Sequence, residues 1–366
     1  MVQVKWEVNL GQLDRTKKDR TKSHQECEIF SGRKHEAAES EHKFSSCEKN
    51  PGHEQFVSPQ HFIEKCLSRL QTEEKREVFR AWIDLTVRLR VYCTSRDRPD
   101  DDDMATYRGT AGARVGTGFL WLVSTPRYDK SCFCDKCHGM VAKKQWTFEV
   151  QTARHVVYNT EEAKRTKVDL FYDDHSCQQD CRMKSLRGEE LVISSSSRDW
   201  CIMSCVVCDE DLVERIKSLI VKRCWRLYLD TGRLNLNEFK LDPQDFYELG
   251  LLQSRGEDCD PVLIVSHPHG QPKKITLGEN KYRDTEQFLV EYNTPTCPGS
   301  SGAPVFLYGR NQKMSTTVCL YSPVHSGSYG EISIEHKIQP KLYKRLLDKI
   351  SGHKPTIEQL NFGNYC

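Results

Sequence analysis

The chain has 366 residues and a net charge of +2, with 37% hydrophobic residues, which is enough for one or two domains with a buried core. Its 54 basic side chains nearly balance the 52 acidic ones, which argues against a partner recruited mainly by charge, such as bulk nucleic acid. The start of the chain lacks the apolar run of a signal peptide, and no stretch approaches the roughly 20 apolar residues of a membrane helix. We therefore expect a cytoplasmic or nuclear protein that is neither secreted nor held in a membrane.

The N-terminal part of the chain divides into a polar tail and a helical extension. Residues 1–55 are rich in Lys, Glu, His and Ser without apolar periodicity, which is typical of a disordered tail. Within it, the Lys/Arg-rich run 14–22 leaves a nucleic-acid or targeting role open beside simple solvation. Residues 56–84 have apolar side chains at helical spacing, and Ser58 followed by Pro59 is a typical helix start.

The apolar pattern then changes to that of β-strands. Alternating polar and apolar residues predict the first strand at 86–92. Further short strands are predicted at 117–123, 147–152, 167–172, 190–194, 201–207, 225–229, 262–265, 274–277, 287–291, 303–307 and 316–321. Helices are predicted at 209–222, between two batches of strands, and at 339–351. This order indicates an all-β fold of two small antiparallel barrels.

The sharpest local feature is a turn rich in glycine and serine at 298–305. A nucleophilic serine needs its oxygen on a tight turn, with backbone N–H groups aimed at the developing oxyanion. Gly299 and Gly302 permit such a turn because glycine tolerates positive φ. Ser301 is therefore the candidate nucleophile, and the amides of Gly299 and Ser301 are the candidate oxyanion hole. Taken alone, the turn suits an ordinary connection between two strands equally well.

Two further residues could serve as partners of this serine. His155 ends an apolar strand and follows Thr152-Ala153, while Asp199 stands at the mouth of the apolar strand that begins at Trp200. Each residue alone is more typical of a structural histidine or a turn aspartate. Only together, in the order histidine, aspartate and serine along the chain, do these residues suggest a catalytic triad.

Together these motifs resemble those of the chymotrypsin-fold (PA clan) trypsin-like serine proteases. The family pattern is Thr-Ala-x-His, then Asp-apolar-small-apolar, then Gly-x-Ser-Gly-x-Pro, and all three occur here in that order. Residues 115–119 look like the Gly-x-Gly-Phe strand that precedes the histidine. Residues 265–270 are similar to a segment of HtrA-type proteases, and closer still to nuclear trypsin-like proteases. Chain order separates this family from subtilisins and α/β-hydrolases.

The resemblance implies two six-stranded antiparallel β-barrels with an N-terminal helical extension and a C-terminal helix. The implied parts are a protease domain at 85–351, with barrel 1 at about 86–208 and barrel 2 at about 223–335, and a C-terminal tail at 352–366.

The resemblance also implies an intracellular serine endopeptidase that acts on protein or peptide substrates through an acyl-enzyme. Ser301 would be the nucleophile, His155 the base and Asp199 the residue that orients the base, with no cofactor for catalysis. Asp209 is the neighbouring alternative to Asp199, which alone has the right following strand. The alternative function is a catalytically silent protease-fold binding module with zinc-stabilised loops.

Three positions depart from secreted trypsins. Ser300 stands where an aspartate pairs with a newly cleaved N-terminus, so we expect no such activation. Pro295 replaces the acid that selects basic substrates. His325 lies where the substrate-binding strand is expected, and a histidine there selects Gln or Glu in viral cysteine relatives. A surface or packing role for His325 is the plainer alternative.

Two groups of cysteines are candidates for a structural zinc site. Residues 132–138 form Cys-x-Cys-x2-Cys-His, and a second group follows at 175–181. Tetrahedral zinc takes four Cys or His ligands, and a reducing compartment keeps thiols available. The leading candidates are Cys132, Cys134, Cys137, Cys177 and Cys181, with His138 and His175 as alternates. The alternative is a set of free loop thiols, since 17 cysteines in a reducing compartment do not suggest disulfides.

Overall fold

The architecture is that of a computed structural model. It describes residues 24–32, 36–69, 73–110, 112–132, 134, 137, 139–196, 199–229, 261–284, 289–307, 324–329 and 332–336. The predicted strand at 316–321 and the predicted helix at 339–351 lie outside these residues.

The helices are α1 (Glu36–Ser45), α2 (Pro59–His61), α3 (Glu73–Leu85), α4 (Thr160–Lys164) and α5 (Glu210–Leu229). A π-helical turn, Phe62–Cys66, and a 3₁₀ turn, Leu67–Arg69, continue α2. As predicted, Ser58 caps α2, because its side chain accepts the N–H of His61. Among the described helices, none combines the length and apolar character that a membrane crossing requires.

The strands of the described residues are β1 (His24–Gln25), β2 (Glu28–Phe30), β3 (Thr86–Val91), β4 (Ala113–Val123), β5 (Arg127–Ser131), β6 (Val141–Thr152), β7 (Thr166–Leu170), β8 (Lys184–Ser195), β9 (Trp200–Val207), β10 (Pro261–Ser266), β11 (Lys274–Asp284), β12 (Leu289–Tyr292), β13 (Val305–Leu307), β14 (Val324–Tyr329) and β15 (Ile332–His336).

These strands form two antiparallel sheets. The first has the order β2-β4-β3-β7-β8-β9-β6-β5, and β4 also pairs with β6, which closes a six-stranded barrel. The second has the order β1-β14-β15-β12-β11-β10-β13. It curls so that a backbone bridge forms between Pro304, which directly precedes β13, and Val324 of β14, and this bridge brings the two strands together. The predicted fold, two six-stranded antiparallel barrels with an N-terminal helical extension, is confirmed.

Helix α3 packs against both barrels. Its aromatic side chains lie on one face, and Trp82 packs against Phe119 of β4 with ring centroids 4.9 Å apart. Phe79 and Trp82 also contact Phe306 of β13, at 5.6 and 5.3 Å. Burial of such large side chains contributes roughly 2–3 kcal/mol each, so the helical extension helps to hold the two barrels together.

Two predictions of local structure are wrong. Residues 225–229, predicted as a strand from their apolar spacing, belong to α5. The helix continues there because no glycine or proline ends it earlier. The tail 1–55 is not disordered throughout, since residues 24–30 form β1 and β2 and residues 36–45 form α1. β1 and β2 pair with barrel strands, while α1 packs against the turn at 268–270, where Ser40 donates to the carbonyl of His269.

Candidate active site

His155 and Asp199 lie at adjacent strand ends of the first barrel. β6 and β9 run antiparallel with Thr152 opposite Cys201, so the residues that follow β6 lie beside those that precede β9. The N–H of Arg154 donates to the carbonyl of Asp199 at 3.1 Å, which ties the two loops together. The register between β6 and β9 therefore brings together two motifs that are distant in sequence.

His155, Asp199 and Ser301 are hydrogen-bonded in series. His155 Nδ1 lies 2.5 Å from Asp199 Oδ2, and His155 Nε2 lies 2.7 Å from Ser301 Oγ. Oδ1 of Asp199 accepts the backbone N–H of His155 at 2.9 Å, and the hydroxyl of Ser326 donates to Oδ2. The imidazole is thereby held with Nε2 toward the serine, which is the geometry a general base requires. Asp209, the sequence alternative, instead caps α5.

Two opposed effects set the charge state of the His155–Asp199 pair. Burial is the largest single effect and lowers the pKa of His155, but the charge and hydrogen bond of Asp199 together with the interactions of Cys27 outweigh it, so the pKa of the histidine is raised. Burial raises the pKa of Asp199, yet the charge and hydrogen bond of His155 outweigh it, so this pKa is lowered. The aspartate is therefore ionised and favours the imidazolium that forms when His155 takes a proton.

The loop that carries Ser301 is clamped against β4. The N–H of Thr117 donates to the carbonyl of Ser301, and its hydroxyl donates to the carbonyl of Gly299, both at 2.8 Å. Gly302 has φ of 87°, and a Cβ there would collide with Thr117 and Thr152. The glycine-rich segment of β4 and the nucleophile turn thus approach each other too closely for larger residues.

The backbone N–H groups of Gly299 and Ser301 point at one oxygen. Gly299 has φ of 99°, and a Cβ there would collide with the carbonyl of His267, so this turn requires glycine. Both N–H groups donate to the carbonyl oxygen of Glu26, at 2.6 Å from Gly299 and 3.3 Å from Ser301. The two amides predicted as an oxyanion hole therefore bind a peptide carbonyl of the same chain.

The segment around Glu26 crosses the cleft between the barrels in an extended conformation. On one side, β1 pairs antiparallel with β14, with Gln25 opposite Gly327. On the other side, β2 pairs antiparallel with β4, with Glu28 opposite Val115. Extended peptides commonly bind by adding a strand to a sheet edge in this way. Sequence analysis missed this strand pairing, because the tail lacks the apolar alternation of a strand.

The side chain of Glu26 enters a buried polar pocket. Oε2 lies 2.7 Å from His325 Nε2, and His325 Nδ1 lies 2.8 Å from the hydroxyl of Tyr292. Lys49 forms an ion pair with Oε1, and its Nζ lies 3.4 Å from Thr296 Oγ1. Burial raises the pKa of Glu26, but His325 and Lys49 outweigh burial and hold the pKa well below its usual range. The pocket therefore stabilises an ionised carboxylate.

Of the two residues expected in the substrate pocket, His325 contacts the Glu26 side chain, whereas Pro295 is half-buried at the edge of the loop. Ser300 is fully buried, and its hydroxyl lies 3.1 Å from Ser266 Oγ. It also accepts the N–H of Cys297 at 3.3 Å. The nucleophile loop is thus held by neutral hydrogen bonds where secreted trypsins use an ion pair.

A buried ionic network supports the loop that follows His155. Glu162 pairs with Arg98 at 2.7 Å and with Arg114 at 2.6 Å, and all three side chains are at most 3% exposed. Arg98 also donates to the carbonyl of His155, and Arg114 donates to the carbonyl of Val156, at 2.9 and 3.0 Å. Sequence analysis missed this network, because single charged residues in loops carry no motif.

Four cysteines form a group whose sulfurs lie within 4.8 Å of one another. The sulfur of Cys208 lies 3.8 Å from that of Cys137 and 3.0 Å from that of Cys132. Cys134 is the fourth member of the group. Four thiolates about 2.3 Å from a zinc ion stand roughly 3.8 Å apart at tetrahedral geometry. The donor set therefore fits structural zinc.

The composition of this group differs from the prediction in its fourth member. Trp146 of β6 lies opposite Val207 of β9, so the residue after β9, Cys208, lies at the same end of the barrel as the β5–β6 loop. Cys177 and Cys181 follow β7 and belong to no metal-binding group of the described residues. Cys208 was not among the candidates from the sequence, because its partners are distant along the chain.

No protein-family model and no curated protein matches the chain. Its neighbours among solved structures are trypsin-like and HtrA-type serine proteases. The serine endoprotease from Yersinia pestis is 12% identical with a TM-score of 0.35, over 77% of this chain and 67% of that one. The Rv3671c protease from M. tuberculosis in its active form is 12% identical with a TM-score of 0.36, over 82% and 90% of the two chains. The HtrA-type protease AlgW with a tripeptide is 12% identical with a TM-score of 0.34, over 76% and 64%. At this low identity, strand topology identifies the fold and side-chain geometry identifies the candidate site.

Proposed function

We propose that the protein is a serine endopeptidase that hydrolyses peptide bonds through an acyl-enzyme on Ser301. The observation that carries the proposal is the coincidence of two geometries at one point. Ser301 Oγ lies 2.7 Å from His155 Nε2, and the amides of Gly299 and Ser301 both donate to a peptide carbonyl held beside that hydroxyl. A silent binding module has no need of an activated hydroxyl next to a polarised carbonyl.

In the proposed mechanism, His155 takes the proton of Ser301 as its oxygen attacks the substrate carbonyl. The Gly299 and Ser301 amides stabilise the oxyanion of the tetrahedral intermediate, and such a donor is worth about 3–4 kcal/mol of barrier. His155 then gives the proton to the leaving amine, and water hydrolyses the acyl-enzyme by the reverse roles. Asp199 holds the tautomer and stabilises the imidazolium.

Peptide hydrolysis by the wild-type chain and by a Ser301→Ala variant tests this function. We expect the variant to lose activity by about a million-fold in kcat, while Ser300→Ala, one residue away, retains measurable hydrolysis. Hydrolysis that survives Ser301→Ala unchanged would overturn the proposal.

We further propose that Cys132, Cys134, Cys137 and Cys208 hold a structural zinc ion with no part in catalysis. Zinc analysis of the purified chain is expected to find metal that a Cys208→Ser variant loses, whereas Cys181→Ser, which changes an exposed thiol, keeps it. Thiols such as Cys201 and Cys205, which are fully buried, suit the reducing compartment we propose for the protein.

A further inference from the structure

Residues 24–30 lie across the active site in the position of a substrate. β1 supplies the antiparallel pairing on the side before the reacting carbonyl, and β2 supplies it on the side after that carbonyl. The carbonyl of Glu26 occupies the oxyanion hole, so the bond presented to Ser301 is Glu26–Cys27. We propose that the protein cleaves its own Glu26–Cys27 bond and prefers an acidic residue before the scissile bond, which rests on the proposed peptidase function.

The pocket of Glu26 explains the preference for an acidic side chain. His325 and Lys49 both reach the carboxylate, one as a hydrogen-bond donor and one as a cation. Tyr292 orients His325, because its hydroxyl faces Nδ1 and leaves Nε2 to donate. A neutral or basic side chain would leave His325, which is fully buried, without its acceptor, which is costly, and would also remove the anion that faces the partly exposed Lys49.

The N-terminal extension itself completes this pocket. The Lys49 ammonium comes from the turn after α1, and the neighbouring Asn50 donates to the carbonyl of Thr296 at 2.9 Å. Lys49 lies after the proposed cleavage site, so it remains on the larger fragment. The segment before the site can leave while the specificity pocket stays intact.

The reaction follows the proposed mechanism and needs only water. Ser301 Oγ forms an ester with the Glu26 carbonyl carbon, and its proton passes through His155 to the nitrogen of Cys27 as the peptide bond breaks. Water then hydrolyses the ester, which gives a carboxylate at Glu26 and a free amine at Cys27. Because the segment is part of the same chain, the reaction is intramolecular and its rate is independent of protein concentration.

Intact-mass analysis of the full-length chain over time tests the cleavage. We expect fragments 1–26 and 27–366 at a half-life that does not change on dilution. The larger fragment begins with a cysteine, whose 1,2-aminothiol condenses stably with 2-cyanobenzothiazole, so it alone becomes labelled. Ser301→Ala is expected to stay intact. Glu26→Gln keeps the shape but loses the charge and should slow cleavage roughly 10- to 100-fold, while Glu48→Gln, at an exposed neighbour of Lys49, cleaves at the wild-type rate.

A peptide with the sequence of residues 23–30 separates this inference from the proposed function. We expect the cleaved enzyme to prefer Glu over Gln before the scissile bond roughly 10- to 100-fold, and Lys49→Met to reduce that ratio. A chain that hydrolyses peptides but stays uncut at 26–27, or shows no Glu preference, overturns the inference and leaves the function standing. A chain that hydrolyses nothing overturns both.

A separate group of side chains lies behind the nucleophile loop. Cys47, His53, His269 and Cys297 place their donor atoms within 4.8 Å of one another, and all but Cys47 are buried. Cys297 Sγ lies 3.7 Å from Cys47 Sγ and 3.4 Å from His53 Nε2. The geometry points to a second zinc site, with two thiolates and two imidazoles as ligands.

Hydrogen bonds to the ligand residues support this site independently of the cleavage. His269 Nδ1 lies 2.7 Å from a carboxylate oxygen of Glu28, while its Nε2 is buried without a hydrogen-bond partner among the described residues. A histidine that binds zinc through one nitrogen commonly donates the other to a carboxylate. The N–H of Asn50 and its side-chain amide point at the sulfurs of Cys47 and Cys297, as they do around metal-bound thiolates. Zinc here would pin the turn that carries Lys49 to the loop that carries Ser301.

Metal analysis of variants tests the second site. We expect His53→Gln to contain one zinc fewer per chain than the wild type, and His61→Gln, which changes an exposed histidine, to contain the same as the wild type. In a Cys132→Ser background, cobalt substitution should give the weaker sulfur-to-cobalt absorption of a two-thiolate site. Unchanged zinc in His53→Gln, or no cobalt absorption in that background, would overturn this assignment.

Discussion

Asp199 acts on His155 through both of its carboxylate oxygens. One oxygen accepts the backbone N–H and the other faces Nδ1, so a single residue fixes both the loop and the ring. Ser326 donates to the same carboxylate, and its carbonyl oxygen lies 3.2 Å from Ser301 Oγ. The proposed substrate-binding strand is thereby joined to the proposed catalytic residues.

The charge of Asp199 gives a prediction on pH dependence. The base must be neutral to take a proton, so activity falls as the pH drops through the pKa of His155, which Asp199 raises. Asp199→Asn removes that charge, so the acid limb of kcat/KM should move to lower pH, and kcat should fall about ten-thousand-fold. The pH profile of residual peptide hydrolysis measures both, and an acid limb that stays in place contradicts the assignment.

Gly299 gives a prediction on the oxyanion hole. Gly299→Ala puts a Cβ into the carbonyl of His267 at a φ of 99°, which displaces the amide that faces the substrate carbonyl. We expect hydrolysis to fall 100-fold or more, by about 3 kcal/mol of barrier. Gly109→Ala is the matched control, because Gly109 also has positive φ but a Cβ there meets only the Arg96 side chain. Equal losses in both variants would point to strain rather than to catalysis.

At the scale of elements, the ends of strands position the proposed catalytic residues. Motif order predicted three residues from three loops, and antiparallel register between β6 and β9 then explains why two of them meet. The strand at 225–229 was mispredicted because a short apolar alternation also fits one face of a helix. Cys208 could not be found by spacing, since its partners lie on a hairpin far away in sequence.

The ionic network under the His155 loop gives a prediction on stability. Glu162→Gln leaves Arg98 and Arg114 buried without their anion, which should cost about 3–5 kcal/mol of unfolding free energy. Urea unfolding measures this cost. Glu161→Gln, at an exposed neighbour, should cost less than about 1 kcal/mol. A small effect at Glu162 would show that the network does not hold the loop.

The same network has a defined pH dependence. Burial raises the pKa of Glu162, but its arginine partners outweigh burial and lower it below the ordinary value of 4.5. The unfolded chain therefore binds the proton more readily, so the network stabilises the fold above that pH and its contribution is lost as the pH falls below it. The stability difference between wild type and Glu162→Gln should shrink accordingly in acid.

At the scale of the whole molecule, the N-terminal segment changes how the two barrels are understood. Its polar sequence resembles that of a disordered tail, and it is ordered by pairing to β14 and β4 together with burial of Cys27 and Phe30. Sequence analysis could predict the barrels, because their strands carry apolar alternation and family-like motifs. It could not predict a strand whose partners are the free edges of both barrels, because such pairing needs backbone groups rather than a side-chain pattern.

Two truncations distinguish the parts of this segment. A chain that begins at Cys27 should hydrolyse an added peptide faster than an uncut chain, because the part of the cleft before the scissile bond is vacated while Lys49 remains. A chain without residues 1–84 should lose activity, because it also lacks the Lys49 turn and α3. Initial rates on the peptide of residues 23–30 compare them. Equal rates for all three chains would mean that the extension neither covers nor completes the site.

The most direct test of the central claim is covalent labelling of the full-length protein with a fluorophosphonate. Such a reagent reacts with a serine only when a base and an oxyanion hole activate it. We predict one label per chain, located by peptide mapping on Ser301, and its loss in both Ser301→Ala and His155→Ala. A chain that takes no label, or that takes it at a residue other than Ser301, would contradict the account.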